Sequence, residues 1–228
     1  MLVEGQTEEE FAKQILASHL QGFGIWVYPI VVETSRDASG RKRRGGGHWK
    51  HWKRDLVRLA GQQAGSDVRI TTMFDLYGLP EDFPGLAEHA ANTNTLARVN
   101  ALETAMAEAV NDPRFIPYIQ RHEFEALVLA ALNELKTFLD GRDDLVGVDE
   151  LMAIVRATAP EEINDGAQTA PSKRLETHVP GYRKSVHGPL AVASTGLVAL
   201  RTACPRFGTW VTRLEALAKA GEDGAGPR

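Results

Sequence analysis

The chain has 228 residues, 43% hydrophobic and 25% charged, a balance that suits one compact soluble domain or one domain carrying a smaller subdomain. No apolar run approaches the ~20 residues that cross a bilayer, and the acidic N-terminus lacks the basic start and apolar middle of a signal peptide, so a cytoplasmic location without membrane association is expected. The net charge of −4 argues against nucleic-acid binding only as an average: residues 36–54 hold eight Lys or Arg and one acid, a net +7 that leaves −11 for the remainder.

Taken in chain order, "LVEGQTEEEF" comes first. Leu2 and Val3 read as the end of a strand, Gly5 as the turn, and Thr7 with Glu10 as a capping box that starts a helix at Glu8, its apolar face made by Phe11, Ile15, Leu16 and Leu20. The β-branched and aromatic run 24–33 predicts a strand, followed by a mobile basic loop over 34–47 that contains one apolar residue, Ala38. Trp49, Trp52, Leu56 and Leu59 recur at three and four residues, predicting an amphipathic helix over 48–64 with a basic opposite face. Val68, Ile70 and Phe74 mark a strand over 68–75 that ends at Asp75 before the turn residues "YGLP".

Further on, 96–110 predicts a helix, 115–119 a short strand despite Pro117, and 123–139 a strongly apolar helix opening with Glu123 and Glu125. Strands alternating with helices predict an α/β fold, a mostly parallel sheet flanked by helices. The expected organisation is a core over 1–139, a mainly helical C-terminal region over 140–220 with a short helix near 148–157 and a break at Pro205, and a disordered tail over 221–228.

Ligands of open α/β sheets gather at the carboxyl ends of the strands, where Glu4, Asp75 and the Glu123/Glu125 pair are expected. Three or four carboxylates converging there would repel one another unless a cation were present, and hard oxygen ligands select Mg²⁺ or Mn²⁺. Glu9 and Glu10 fit the ordinary preference of acids for a helix's first turn; Glu8 fits that role and a ligand role equally. "HEFEA" has Ala126 where a zinc protease needs its second His, and neither a nucleotide-cradling P-loop nor a serine-hydrolase elbow occurs. With a single cysteine, Cys204, neither a disulfide framework nor a structural zinc site is expected. Arg41, Lys42, Arg43 and Arg44, followed by Lys50, Lys53 and Arg54, form the candidate nucleic-acid surface, with Trp49 and Trp52 read as core anchors. In the second basic group, "SKRLETHVPGYRKSVHG", Lys173 or Lys184 would neutralise a phosphate in a transition state.

The blocks "LVEGQTEEEF", "MFDLYGLP", "FIPYIQRHEFEALVLA", "PSKRLE", "GYRKSVHGPL" and "CPRFGTWVTRLEAL" together resemble a bacterial family of unknown function with a TOPRIM-like core, in order over nearly the whole chain. The resemblance implies a Glu after the first strand and an Asp pair after a later one around Mg²⁺, matched here by Glu4 and Asp75. Tyr77 stands where the second Asp would be, and resemblance to the overcoming-lysogenization-defect nucleases offers Glu125 or Glu123 in its place. It also implies an SMC- or ABC-type ATPase partner and a role in phage or plasmid defence. The expectation is a Mg²⁺- or Mn²⁺-dependent phosphodiesterase acting on DNA or RNA, with Glu4, Asp75 and Glu125 holding the metal, Glu8 and Glu123 as further ligands or base, and Lys173 or Lys184 steadying charge. The alternative is a non-catalytic sensor or adaptor subunit of such an ATPase system; homo-oligomerisation is compatible with both.

Overall fold

The structure is a computed structural model that describes residues 1–36, 42–44, 47–62, 65, 67–164 and 169–218, without the side chains of 34–36 and 42–44. The basic residue Arg41 and the tail 221–228 lie outside the described residues. Contacts divide the chain into two units, one made of Met1–Glu9 with Tyr28–Arg121, the other of Glu10–Val27 with His122–Arg228.

The first unit is built on a five-stranded parallel sheet. Strand β1 (Leu2–Val3) lies between β2 (Ile30–Val31) and β5 (Ile70–Asp75), and β5 pairs on its other side with β6 (Phe115–Ile116) and β7 (Ile119–Gln120). All these pairings are parallel, with Val3 opposite both Val31 and Met73. Helices α3 (Trp49–Gln62) and α4 (Thr95–Val110) pack on each other and on the sheet. Their apolar stripes and the sheet share one core: Leu2, Ile70, Phe74, Phe115 and Ile119 from strands, Trp52, Leu56, Leu102 and Met106 from helices. Trp52 meets Phe74 edge-on at 4.4 Å and Trp49 meets Phe83 at 4.9 Å, so both tryptophans are core anchors.

Several predicted elements differ in detail. The first helix, α1 (Gln6–Phe11), starts at Gln6. Gly5 is its N-cap, because its carbonyl accepts the first intrahelical bond from Glu9 N–H at 3.1 Å, and Glu8, three residues on, reaches back to accept the Gly5 N–H at 2.9 Å. The capping acid is thus Glu8 rather than Glu10. Of the single strand predicted over 24–33 the sheet takes only the two residues of β2, an edge strand that begins just after Pro29, which has no N–H to offer a ladder, while Glu33 belongs to the next strand. The polar run read as a loop contains an antiparallel pair, β3 (Glu33–Arg36) and β4 (Lys42–Arg44); a backbone ladder needs no apolar side chains to close. The strand predicted over 115–119 is two, interrupted at Pro117. There the Thr72 hydroxyl accepts the Tyr118 N–H and donates to the Tyr118 carbonyl, both at 2.9 Å, replacing the missing rungs.

The second unit is helical. After α1 the chain widens into a π-helical turn (Ala12–Leu16) and continues as α2 (Ala17–Gln21). The helix predicted over 123–139 is split into α5 (Glu125–Ala130) and α6 (Leu132–Thr137). The C-terminal part has α7 (Arg142–Ala157), α8 (Pro171–His178), α9 (His187–Ala203) and, after Pro205, α10 (Pro205–Glu215). Helix α9 packs on α5, α6 and α10. Phe11 sits edge-on between Phe124 and Phe207, each at 5.8 Å. Gly147 of α7 touches the backbone of His178 so closely that a Cβ would lie 1.6 Å from its carbonyl oxygen. No helix among the described residues is long and apolar enough to cross a membrane.

Candidate functional site

The six residues of β5 are all buried, and its carboxyl end delivers Asp75 into a single 3₁₀ turn, Leu76–Gly78. One step beyond the Val3/Met73 register, Glu4 comes abreast of this turn. Its Oε2 accepts the Asp75 N–H at 3.2 Å, and its carboxylate lies against Gly78 so tightly that a Cβ there would meet Oε1 at 2.2 Å. Glycine at 78 is therefore required for Glu4 to occupy this position. Glu4 and Asp75, predicted to stand at strand ends, are brought together on neighbouring parallel strands. Glu8 is 5% exposed and spends one oxygen on its cap.

Glu123, Glu125, Lys173 and Lys184 belong to the second unit. Glu125 opens α5, is wholly buried, and accepts a bond from Lys184 Nζ at Oε2, at 3.1 Å. Its Oε1 is buried with no hydrogen-bond partner among the described residues. Burial pushes the Glu125 carboxyl up to about 7, with Lys184 pulling it down and the negative Glu123 raising it. Glu123 accepts the Ser172 N–H at 2.7 Å, an anion at the N-terminus of α8. Lys173 pairs with Glu176 at 2.6 Å, both half-exposed. Sequence reasoning passed over Tyr182, whose hydroxyl is buried with no partner among the described residues and whose phenol is pushed up by burial and by the charge of Glu125. His122, read there only as the first His of an incomplete zinc-protease motif, is buried in the left-handed region at φ 65° with its ring against Glu161 O at 3.1 Å. Tyr182 was legible only as one aromatic within a basic run, and the backbone conformation of His122 gave no signal, because local sequence does not announce a positive φ in a histidine.

Among the described residues no group of three or more His, Cys, Asp or Glu stands close enough together to hold a metal ion. Of the predicted nucleic-acid residues, Lys50, Lys53 and Arg54 lie on α3 and are exposed. Arg54 Nη2 donates to the Glu33 carbonyl at 2.7 Å and pairs with Asp55 at 2.9 Å. Lys42, Arg43 and Arg44 form β4. A cavity of about 300 Å³ opens beside β2, lined by Leu2, Glu9, Ile30, Glu33, Asp55 and Arg58 among others, and neither Glu4 nor Asp75 lines it.

The first unit thus defines an α/β protein with a Glu and an Asp side by side at the carboxyl edge of a parallel sheet. The family described as a domain of unknown function, DUF4276, matches residues 3–215, and the chain belongs to it. No curated protein matches the chain, and no solved structure does.

Proposed function

We propose that the chain is a divalent-cation-dependent phosphodiesterase acting on DNA or RNA, the effector of an ATPase-partnered phage or plasmid defence system. The observation that carries this reading is the Glu4/Asp75 pair at the carboxyl ends of two neighbouring parallel strands, where ligands of such sheets bind. The donor set is all oxygen, and Mg²⁺ is commonly held by one or two carboxylates with waters and substrate phosphate completing its shell, so Glu4 and Asp75 fit as its protein ligands. When bound, the cation would supply Lewis-acid polarisation of the phosphate and a more acidic water. The protein's own contribution is positional: the Asp75 N–H orients Glu4, Gly78 leaves it room, and the Glu8 cap fixes the turn that carries it. Exposed Lys50 and Lys53 on α3 would hold the nucleic-acid backbone.

A second reading, a non-catalytic sensor or adaptor subunit, is favoured by one observation: among the described residues the acids at the sheet edge fall short of a three-ligand group. Cleavage of plasmid, single-stranded DNA and RNA with Mg²⁺ or Mn²⁺, comparing wild type with Glu4→Gln and Asp75→Asn, separates the two. The nuclease reading expects cleavage by wild type and a loss of 100-fold or more, on the order of a removed electrostatic group, in each variant. Absence of Mn²⁺ binding by calorimetry, or equal cleavage by all three proteins, would leave the adaptor.

A further inference from the structure

Helix α3 is anchored on one side and charged on the other. Trp52 and Leu56 are buried in the core of the first unit, where β5 and α4 pack on the helix. The rest of its surface carries Lys50, Lys53, Arg54 and Arg58, all exposed, against a single acid, Asp55. The Asp55 carboxylate is engaged within the chain: it accepts the Glu33 N–H at 2.9 Å and pairs with Arg54 at 2.9 Å. His51 is half-buried among these cations. It follows Lys50 in sequence and, three and seven residues before Arg54 and Arg58, shares a helix face with them. Burial disfavours a charged imidazole there, and Arg54, Lys50 and His48 repel a proton, so His51 is held below the usual histidine range, with Asp55 opposing. His48 in turn faces Asp82, from the chain beyond β5, at 3.5 Å, and β3 contributes the Glu33 carbonyl that takes Arg54 at 2.7 Å.

We infer that the basic face of α3 grips a nucleic-acid backbone with a proton taken up at His51, so that the grip tightens as pH falls through the neutral range. The inference rests on the nucleic-acid-binding part of the reading above. Phosphates brought to Lys50, Lys53 and Arg58 place negative charge beside His51 and offset the repulsion that keeps its imidazole neutral. The bound chain then holds that proton more tightly than the unbound chain does. Protons are therefore taken up on association, and mass action favours the complex at lower pH. A lysine at position 51 would hold phosphate at every pH; a histidine makes the hold conditional.

The test is equilibrium binding by fluorescence anisotropy in EDTA, where no metal-dependent cleavage occurs. The probe is a labelled DNA duplex of about 16 base pairs, at about 50 mM salt, over the range from about pH 6 to about pH 8. Wild type should bind about 3- to 10-fold tighter at the acid end, tenfold being the limit for one unit of displaced midpoint. His51→Gln should show the weaker affinity of wild type at the alkaline end throughout, and His51→Arg the tighter affinity of the acid end. Lys50→Gln combined with Lys53→Gln should weaken binding at every pH and lower the salt slope by about 2. Proton NMR of the His51 imidazole, assigned by the signal that disappears in His51→Gln, reads the event directly: its titration midpoint should rise on saturation with the duplex. A midpoint that does not rise, a pH dependence retained in His51→Gln, or undetectable duplex binding by wild type at the acid end would overturn the inference. Measuring cleavage by Glu4→Gln alongside keeps the two claims apart: cleavage equal to wild type with a His51-dependent affinity removes the phosphodiesterase reading alone, and Glu4-dependent cleavage with an affinity indifferent to His51 removes the proton-linked grip alone.

Discussion

Acidic side chains are held in two different ways in the two units. At the sheet edge, Glu4 accepts the N–H of Asp75 and Glu8 that of Gly5, so backbone groups hold each carboxylate and their position is set by strand register and helix start. In the helical unit, Glu125 is enclosed completely and is bonded by Lys184, a long side chain that is itself 51% exposed. The contrast teaches that a glutamate in a sequence is not yet a charge in a structure. The first arrangement fixes geometry, and the second makes ionisation conditional on pH and on one movable partner.

The strongest test of the contrast uses two glycines. At Gly147 an added Cβ would fall 1.6 Å from the His178 carbonyl oxygen, a backbone obstacle that cannot rotate away. Gly147→Ala should force α7 and α8 apart and cost more than about 4 kcal/mol, beyond the usual range for point changes. At Gly78 the obstacle is the Glu4 carboxylate, a side chain that can swing aside, so Gly78→Ala should cost about 1 to 3 kcal/mol while displacing Glu4 and abolishing any activity that depends on it. Urea unfolding of both variants checks this; equal losses would break the distinction.

Next in size is the response of Glu125 to pH. Its carboxyl stands at about 7 in the folded chain against an ordinary 4.5. The native state therefore binds the proton more tightly, and the stability this confers is complete below pH 4.5 and lost as pH rises through 7. At 1.36 kcal/mol per unit the loss is roughly 3 kcal/mol. Glu125→Gln cannot ionise, so in a chelating buffer it should gain on wild type by roughly that amount between pH 4.5 and 8. A stability difference that does not change with pH would mean that Glu125 is not held in an apolar enclosure.

The parts of this arrangement that depend on periodicity or strand ends were legible. The three- and four-residue spacing of Trp49, Trp52 and Leu56 located α3, the alternation of Ile70 and Phe74 located β5, and the break at Pro205 separated α9 from α10. Asp75 at a strand's carboxyl end followed from the turn residues after it. What depends on distant contact was not legible. A helix-opening acid usually faces solvent, so nothing local distinguished the complete burial of Glu125 from the exposure of Glu10. The role of Glu8 turned on where the helix starts, and the shortening of the 24–33 strand turned on its lying at the sheet edge, with a strand partner on one side only among the described residues.

A smaller effect is expected where a side chain completes the sheet. Thr72 is fully buried and its hydroxyl serves both the N–H and the carbonyl of Tyr118. Thr72→Val keeps the shape and strands two buried backbone groups, so it should cost about 2 to 3 kcal/mol, whereas Thr72→Ser keeps the hydroxyl and should cost about 1 kcal/mol for the lost methyl. Denaturant midpoints distinguish them. Equal losses would show that methyl packing rather than backbone pairing is what Thr72 provides.

The smallest effect sharpens the contrast most. Lys184 favours the ionised form of Glu125, but near pH 6 a carboxyl with its midpoint at about 7 is largely protonated, and a protonated partner has little to gain from an ammonium. Lys184→Met should therefore change stability by less than about 1 kcal/mol at pH 6. Removing the cation raises the Glu125 midpoint further, so the pH-dependent loss of stability should begin at a higher pH than in wild type, in the direction opposite to a general weakening of the fold. Unfolding curves collected from pH 5 to 9 read both quantities. If Lys184→Met instead loses several kcal/mol at pH 6, Glu125 is ionised in the folded chain at that pH, and the helical unit holds a buried ion pair whose breakage leaves an uncompensated charge.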